Sequence, residues 1–517
     1  HPDERYVVGV AESLRWPDRL NPFDVAPDFA YGHLPLYLLA LTGKLAHGVD
    51  PLLVGRVLAA LFDLGTVVMT FALGRQIYGE NIGLLAAAFV AVMVLHVQQA
   101  HFTTADAPLA FFVLGSLLFA VRLAERGRPL DAWLAGVWAG LAMGTKSSAA
   151  LLVLPLGAAL LSGPAPAWKS RRWALRRGLE CGAAALATFA LTNPFALLEF
   201  STFWRNVEEQ SSIVWGVLDV PYTRQFHGTW PYLYPIVQQL RWGMGWPLGL
   251  LAFGGLAYAV WRAVRESPRQ AEWVLLAWVV PGFAFVGALY VKFPRYLLPL
   301  TPLLALYAAC LLATLHQHSR RLASFLTYIS LIYTFFHCLA FVSLYRSPHP
   351  WQVASEWFTD HAPQGAVVAI EQWDHPLPLD AAGYDVRELP LFDEDTGDDA
   401  LEKWAEITTV MAEADYVIVA SRRGYATLAR WPERYPLTAR YYRRLFGGEL
   451  SFEPVACFGR YPRLGPLAIV DDPTVGLDFS LPTLCQPDAT FVLRLGRLDE
   501  SFVVYEHPQV VIWQKRP

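Results

Sequence analysis

Charge is what this 517-residue chain has least of. Asp, Glu, Lys and Arg supply 17% of its residues, against 54% hydrophobic ones, where soluble domains carry about 25% charged residues. That scarcity excludes an ordinary soluble domain over most of the length and predicts an integral membrane protein. The net charge is only -4, and the basic residues stand in short clusters between apolar runs, which excludes a nucleic-acid partner. Cysteine is scarce as well. The five present lack metal-ligand spacing. Cys181, Cys310 and Cys338 lie in apolar runs where a buried thiol is ordinary, and Cys457 and Cys485 remain open to an extracytoplasmic disulfide that the sequence does not favour. An initiating Met and a signal peptide are also lacking: the chain opens on His1, and the expectation is that another membrane helix precedes it.

What is there is a series of long apolar runs. A helix needs about 20 apolar residues to cross the hydrocarbon core, because lipid offers no partner to an unpaired backbone amide. Spans are expected near 52–74, 82–99, 106–122, 131–145, 147–163, 178–198, 242–262, 272–291, 296–315 and 322–345, about ten in all. Loops holding Arg75, Arg122, Arg126, Arg128, Arg171, Arg172, Arg176, Arg177, Arg262, Arg265, Arg269, Arg320 and Arg321 are assigned to the cytoplasm by their charge. Residues 1–51, the loop 199–241 and everything after 346 then face outward. Asp3, Glu4, Asp106, Lys146, Lys292 and Arg295 all fall at this outer side, where one cavity can hold them.

Carboxylates beside cations at a membrane face suit transfer of a group from a lipid phosphate. Asp3 or Glu4 can take the proton of an acceptor hydroxyl as a general base. Lys146, Lys292 and Arg295 can meet the charge that develops on the departing phosphate, Arg as a planar fork and Lys as a point charge. Plainer readings exist: Asp3 and Glu4 as first-turn helix acids, Asp106 as an N-cap, and Lys292 and Arg295 as snorkelling anchors. Lys146 resists such a reading, since it stands between two apolar runs on the side that lysine avoids. Arg56 and Asp63, one heptad apart in a span, are expected to form an internal ion pair. An interfacial aromatic belt accounts for most of the loop 199–241; Arg224, with Tyr222 nearby, stays as a candidate acceptor or sugar contact.

Five segments occur in order: Pro2-Asp3-Glu4-Arg5-Tyr6, Phe29-Ala30-Tyr31-Gly32-His33-Leu34-Pro35, Asp106 before a span, Gly140-Leu141-Ala142 leading to Thr145-Lys146, and Lys292-Phe293-Pro294-Arg295-Tyr296. Together they resemble the polyprenyl-phosphate-dependent glycosyltransferases of the GT-C fold, in the branch of protein O-mannosyltransferases and aminoarabinose transferases. The resemblance covers residues 1 to about 345. It implies inverting transfer of a sugar from a dolichyl or undecaprenyl phosphate to an extracytoplasmic hydroxyl of a protein, lipid or glycan. It further implies Asp3 as base, Glu4 beside it for acceptor or structural contacts, Asp106 as a second outer acid, and Lys146, Lys292, Arg295 and Tyr296 near the carrier phosphate. Family members begin with a helix before the acid pair. Oligosaccharyltransferases of the same broad fold hold a divalent ion with two acidic motifs, whereas the mannosyltransferase-like branch is regarded as metal-independent. Asp3, Glu4 and Asp106 can supply hard oxygen ligands to a divalent ion, but no spacing establishes that they do, so a metal is open without being predicted; the lipid-linked sugar is the donor, no other cofactor is expected, and membrane lipids are the remaining partners. A transporter or flippase of lipid-linked sugars is the alternative, and no internal repeat of the kind such proteins carry is found.

The periodicity changes after Ser347-Pro348-His349-Pro350, so a transmembrane domain over 1–347 and an extracytoplasmic α/β domain over 348–517 are expected. Residues 366–370 and 416–420 read as buried strands, 400–413 as an amphipathic helix, and 502–513 as a strand, turn and strand. Glu371, Trp373 and Asp374, following the first strand, are candidate sugar or acceptor contacts, because strand ends in α/β folds carry binding groups. Ordinary loop polarity is their plainer reading.

Overall fold

The computed structural model describes residues 2–15, 18–46, 48–163, 171–266, 269–372, 375–392 and 399–517; Trp373 and Asp374 lie outside the described residues. Packing divides the chain into a first unit, His1–Trp215 with Trp230–Phe335, and a second, Gly216–Thr229 with Phe336–Pro517. The sequence pattern put the division near 347 and did not separate 216–229 from its loop.

Helices build the first unit: α1 (Pro2–Ser13), α2 (Leu34–Leu45), α3 (Pro51–Tyr78), α4 (Glu80–Ala91), α5 (Val94–Ala100), α6 (Asp106–Arg126), α7 (Pro129–Thr145), α8 (Val153–Leu161), α9 (Arg171–Thr192), α10 (Phe195–Leu198), α11 (Phe200–Val214), α12 (Leu233–Gln238), α13 (Trp246–Arg265), α14 (Gln270–Ala288), α15 (Thr301–His318) and α16 (Arg320–Val342), the last of which runs on from Phe336 into the second unit. Their ends follow local chemistry. Asp50 caps α3 by accepting the Leu52 N–H, with Pro51 in the first turn. Gly127, in the left-handed region at φ 67°, closes α6, and Pro129 then opens α7. Gly74 and Gly83 let α3 and α4 meet; a Cβ on Gly74 would stand 2.6 Å from Gly83 Cα.

Each of the ten expected segments coincides with helix. By length and composition α3, α6, α13, α14 and α16 can cross a membrane, and α4 with α5, bent by 60°, adds a sixth if the pair is one span. The others fall short for visible reasons: α7 has 17 residues, and α9 opens with Arg171, Arg172, Arg176 and Arg177. Outward-facing apolar residues support burial in lipid. Leu53, Val57, Leu61, Leu64 and Val68 form one exposed stripe along α3, and Phe325, Tyr328, Ile332 and Phe335 another on α16.

The second unit is α/β. A five-stranded sheet runs in the order β2 (Asp385–Leu389), β1 (Val367–Glu371), β3 (Tyr416–Val419), β8 (Val510–Lys515), β4 (Phe452–Phe458), and β5 (Arg463–Leu464), β6 (Leu467–Val470) and β7 (Phe491–Arg494) form a three-stranded one. β1 is parallel to β2 and β3, whereas β8 is antiparallel to β3 and β4. The strands at 366–370 and 416–420 are thus present. Alternate residues serve two cores: Ala369, Val417 and Val419 pack with α18 (Leu401–Glu413) and α19 (Pro436–Phe446), and Val368, Ile370 and Ile418 with α17 (Pro350–His361). Central strands covered on both faces must be apolar on both.

Two expectations need correction. Residues 502–505 are not a strand: Asp499 accepts the Ser501 N–H and winds Glu500–Phe502 into a 3-10 turn, leaving β8 alone to close the sheet. Cys457 and Cys485 are bonded as a disulfide, because β4 and the turn Thr483–Cys485 bring together residues that spacing alone did not pair.

Candidate active site

The ends of four elements converge in the first unit. Asp3 lies in the first turn of α1 and Asp106 opens α6. Lys146 follows α7 in extended backbone, at φ -156° and ψ 133°, and Arg295 sits in the 3-10 turn Pro294–Leu297 before α15. The loop before α2 crosses the end of α7 so closely that a Cβ on Gly32 would fall 2.0 Å from Gly144 O; Gly32 N–H donates to Thr145 O at 3.0 Å. Only glycine allows that crossing, and it sets Tyr31 beside Lys146.

Opposite charges alternate through the cluster. Arg295 Nη1 lies 2.9 Å from Asp3 Oδ2, and its Nε lies 3.9 Å from Asp106 Oδ2. Lys146 Nζ donates to Asp106 Oδ1 at 2.9 Å, and Tyr31 Oη donates to Asp3 Oδ2 at 3.3 Å. The Lys146 ammonium also stands 5.2 Å from the Tyr296 ring centroid and 5.9 Å from that of Tyr31. Burial disfavours the Arg295 guanidinium, but the fields of Asp3, Tyr31 and Asp106 outweigh it and hold the group charged. Burial, then the Asp3 charge, pushes the Tyr31 phenol above its ordinary range, so it stays a donor.

The cluster borders a cavity of about 340 Å³. Tyr31, Asp106, Lys146, Arg295 and Tyr296 line it together with the apolar Trp278, Phe285, Val286, Leu289 and Leu300. Such a cavity can take a ligand with an anionic head and an apolar body. Asp3 is not among the lining residues but is bonded to two of them, Arg295 and Tyr31, and its side chain keeps 25% of its accessibility against 5% for Asp106.

Not every expected residue joins the cluster. Glu4 points elsewhere: Arg56 grips both of its oxygens at 2.9 and 3.0 Å, and Thr103 N–H donates to it at 2.9 Å. Burial raises its pKa, but these donors outweigh burial and hold it below the ordinary carboxylate range. Arg56 therefore does not pair with Asp63. Asp63 Oδ1 instead lies 2.6 Å from His96 Nδ1, and His96 Nε2 lies 2.9 Å from Thr301 Oγ1, a buried chain tying α3 and α5 to the start of α15. Lys292 is buried and donates to Tyr290 O at 2.8 Å; burial lowers its pKa to about 8, and it is not among the cavity's lining residues. Asp106 does not cap α6; it is the first helical residue, and its side chain goes to Lys146.

Tyr222, Arg224 and Glu371 belong to the second unit. Tyr222 and Arg224 lie in the turn Pro221–Phe226, where Arg224 pairs with Asp219 at 3.2 Å. Glu371 ends β1, 3% exposed. Among the described residues no group of three or more His, Cys, Asp or Glu is placed to hold a metal ion. Sequence reasoning quoted Tyr31 without a role and missed the cavity wall at Ser147, Ser148 and Trp278, whose only signal is adjacency to Lys146 or an interfacial indole.

The helical unit thus carries, where helix ends meet, a cavity lined by charged and apolar residues. Residues 32–192 match the family described as dolichyl-phosphate-mannose-protein mannosyltransferase. An uncharacterized protein of Aquifex aeolicus is 24% identical over 283 residues, 53% of this chain and 51% of that one, so the chain spans about half the length of the curated relative it matches. Among solved structures, the apo oligosaccharyltransferase of Archaeoglobus fulgidus aligns with a TM-score of 0.51 and 14% identity, covering 84% of this chain and 68% of that chain. ArnT from Cupriavidus metallidurans bound to undecaprenyl phosphate aligns with a TM-score of 0.41 and 14% identity, over 83% and 86%. The expected resemblance is borne out as family likeness over residues 32–192, which hold Asp106 and Lys146 but not Asp3, Glu4, Lys292 or Arg295, and as similarity of fold to the oligosaccharyltransferase.

Proposed function

We propose that this protein transfers a sugar, with inversion, from a polyprenyl-phosphate carrier to an extracytoplasmic hydroxyl. The observation that carries the reading is a cavity lined both by Lys146, Arg295 and Asp106 and by apolar residues; the match of residues 32–192 to a mannosyltransferase family supports it. The acceptor oxygen attacks the anomeric carbon, the bond from that carbon to the phosphate oxygen breaks, and the polyprenyl phosphate leaves. Asp3 takes the acceptor proton. Arg295 and Lys146 meet the phosphate charge in surroundings where fixed cations act strongly. A single displacement inverts the anomeric centre. The ten-helix topology with this cavity outside the cytoplasm belongs to the same proposal, supported by the distribution of arginines among the loops.

Reconstitution with radiolabelled polyprenyl-phosphate sugars and hydroxyl acceptors tests it. Transfer by the wild-type chain is expected, with loss in Asp3→Asn and weakened carrier binding in Lys146→Ala and Arg295→Ala. Undiminished transfer by Asp3→Asn removes the base, and unchanged carrier affinity in both cation variants removes the phosphate site.

A further inference from the structure

The second unit holds a cavity of about 230 Å³ that the transfer reaction does not use. Its walls come from distant parts of the chain: residues 459–461 beyond β4, 470–474 after β6, the loop 480–487, and 503–509 before β8. Cross-links make this a built site. The Cys457–Cys485 disulfide ties the loop to β4. Tyr461 Oη donates to Cys485 O at 3.1 Å, Gln509 Nε2 donates to Tyr461 Oη at 2.9 Å, and Arg494 Nη2 donates to Gln486 Oε1 at 2.8 Å.

Charge within the cavity is nearly balanced. Arg422, whose side chain is 5% exposed, is ion-paired with Asp471 and donates to the carbonyls of Leu498 and Asp499. Arg460 is taken up by the carbonyls of Leu344, Ser347 and Glu506. Arg494 and Asp472 then face the cavity with opposite signs. His507 also lines it, 4% exposed, with Nδ1 making no hydrogen bond among the described residues. Burial first, then the Arg422 and Arg460 charges, lowers its pKa to about 3, so the ring is neutral. A buried polar nitrogen without a partner is costly and asks for one.

A phosphate would meet Asp471 and Asp472, and an ammonium would meet three guanidinium groups. A ligand whose every polar group both donates and accepts meets neither conflict. Val470, Leu481 and Val503 add apolar surface for its C–H face. We propose that this cavity binds one neutral saccharide unit, held by Asp472, Arg494, Gln509 and His507. Binding requires no transfer, so this inference stands or falls apart from the proposed reaction.

Saturation-transfer NMR on the full-length protein in detergent, with glucose, mannose, galactose and arabinose offered singly and inorganic phosphate as a further arm, tests it. At least one sugar is expected to bind, and Asp472→Asn and Arg494→Gln each to weaken it about tenfold. Gln509→Ala, the mildest change, is expected to weaken it in the same direction with an unchanged thermal melt, which separates recognition from folding. Absence of signal for every sugar, binding of phosphate in preference to sugars, or sugar binding equal in wild type and all three variants overturns the inference.

Discussion

The same residue types do different work in the two units. In the first, Asp3, Asp106, Lys146 and Arg295 gather into one alternating cluster beside a cavity. In the second, buried and half-buried cations are spread out and tie the chain to itself: Arg422 spans to 498 and 499, Arg460 to 344, 347 and 506, and Lys403 to Leu391 O and Asp399. The medium explains the difference. Apolar helices cannot scatter charges along lipid-facing sides, so theirs collect where element ends meet. An α/β unit with many loops has carbonyls at every turn for a guanidinium to collect.

Perturbing each side of this contrast separates chemistry from architecture. The largest effect is expected from Asp3→Asn, with transfer falling about 10²- to 10⁴-fold while the melting temperature holds; a radiolabel transfer assay beside a thermal melt reads both. Arg295→Gln follows, with a loss of about 10²- to 10³-fold, and Lys146→Arg should keep more activity than Lys146→Ala. On the architectural side, replacing Cys457 and Cys485 by Ser should cost the second unit about 3 kcal/mol and leave carrier binding by the first unchanged, as denaturant melts and carrier titration would show. Glu4→Gln should cost about 2 kcal/mol by weakening the grip of Arg56 and Thr103, with transfer per folded molecule retained. Because the Glu4 pKa is depressed by folding, its contribution is present above the ordinary carboxylate pKa and is lost as pH falls through the lower folded value; melting temperature against pH should fall more steeply there for the wild type than for Glu4→Gln. Smallest is Arg443→Ala, which removes a half-exposed pair with Asp478 and should change stability by less than about 0.5 kcal/mol.

How much was legible depends on how local each signal is. The apolar runs located helix at all ten expected segments, because hydropathy is recorded residue by residue, although only five helices, or six with the bent pair α4 and α5, have the length and composition to cross a membrane. Asp106, Lys146 and Arg295 were legible because charge beside an apolar run is rare enough to stand out. Glu4 was not separable from Asp3 by type. Once α1 is a helix, consecutive residues point about 100° apart, so Asp3 meets Arg295 while Glu4 meets Arg56. Lys292 and Arg295 diverge likewise across the turn that Pro294 begins. The Asp63–His96–Thr301 chain links residues up to 205 positions apart, and no periodicity reports such a contact.

Composition and hydropathy by themselves determined that the chain is a membrane protein with a separate α/β unit, and which charges are too costly to be incidental. Tertiary structure alone decided which of those charges share a cavity, that Cys457 and Cys485 are joined, and that Arg422, Asp472, Arg494 and His507 surround a second one. Burial cost is a property of each residue and is written along the chain. Direction and partnership are properties of pairs, which exist only once helices and strands have set their faces together.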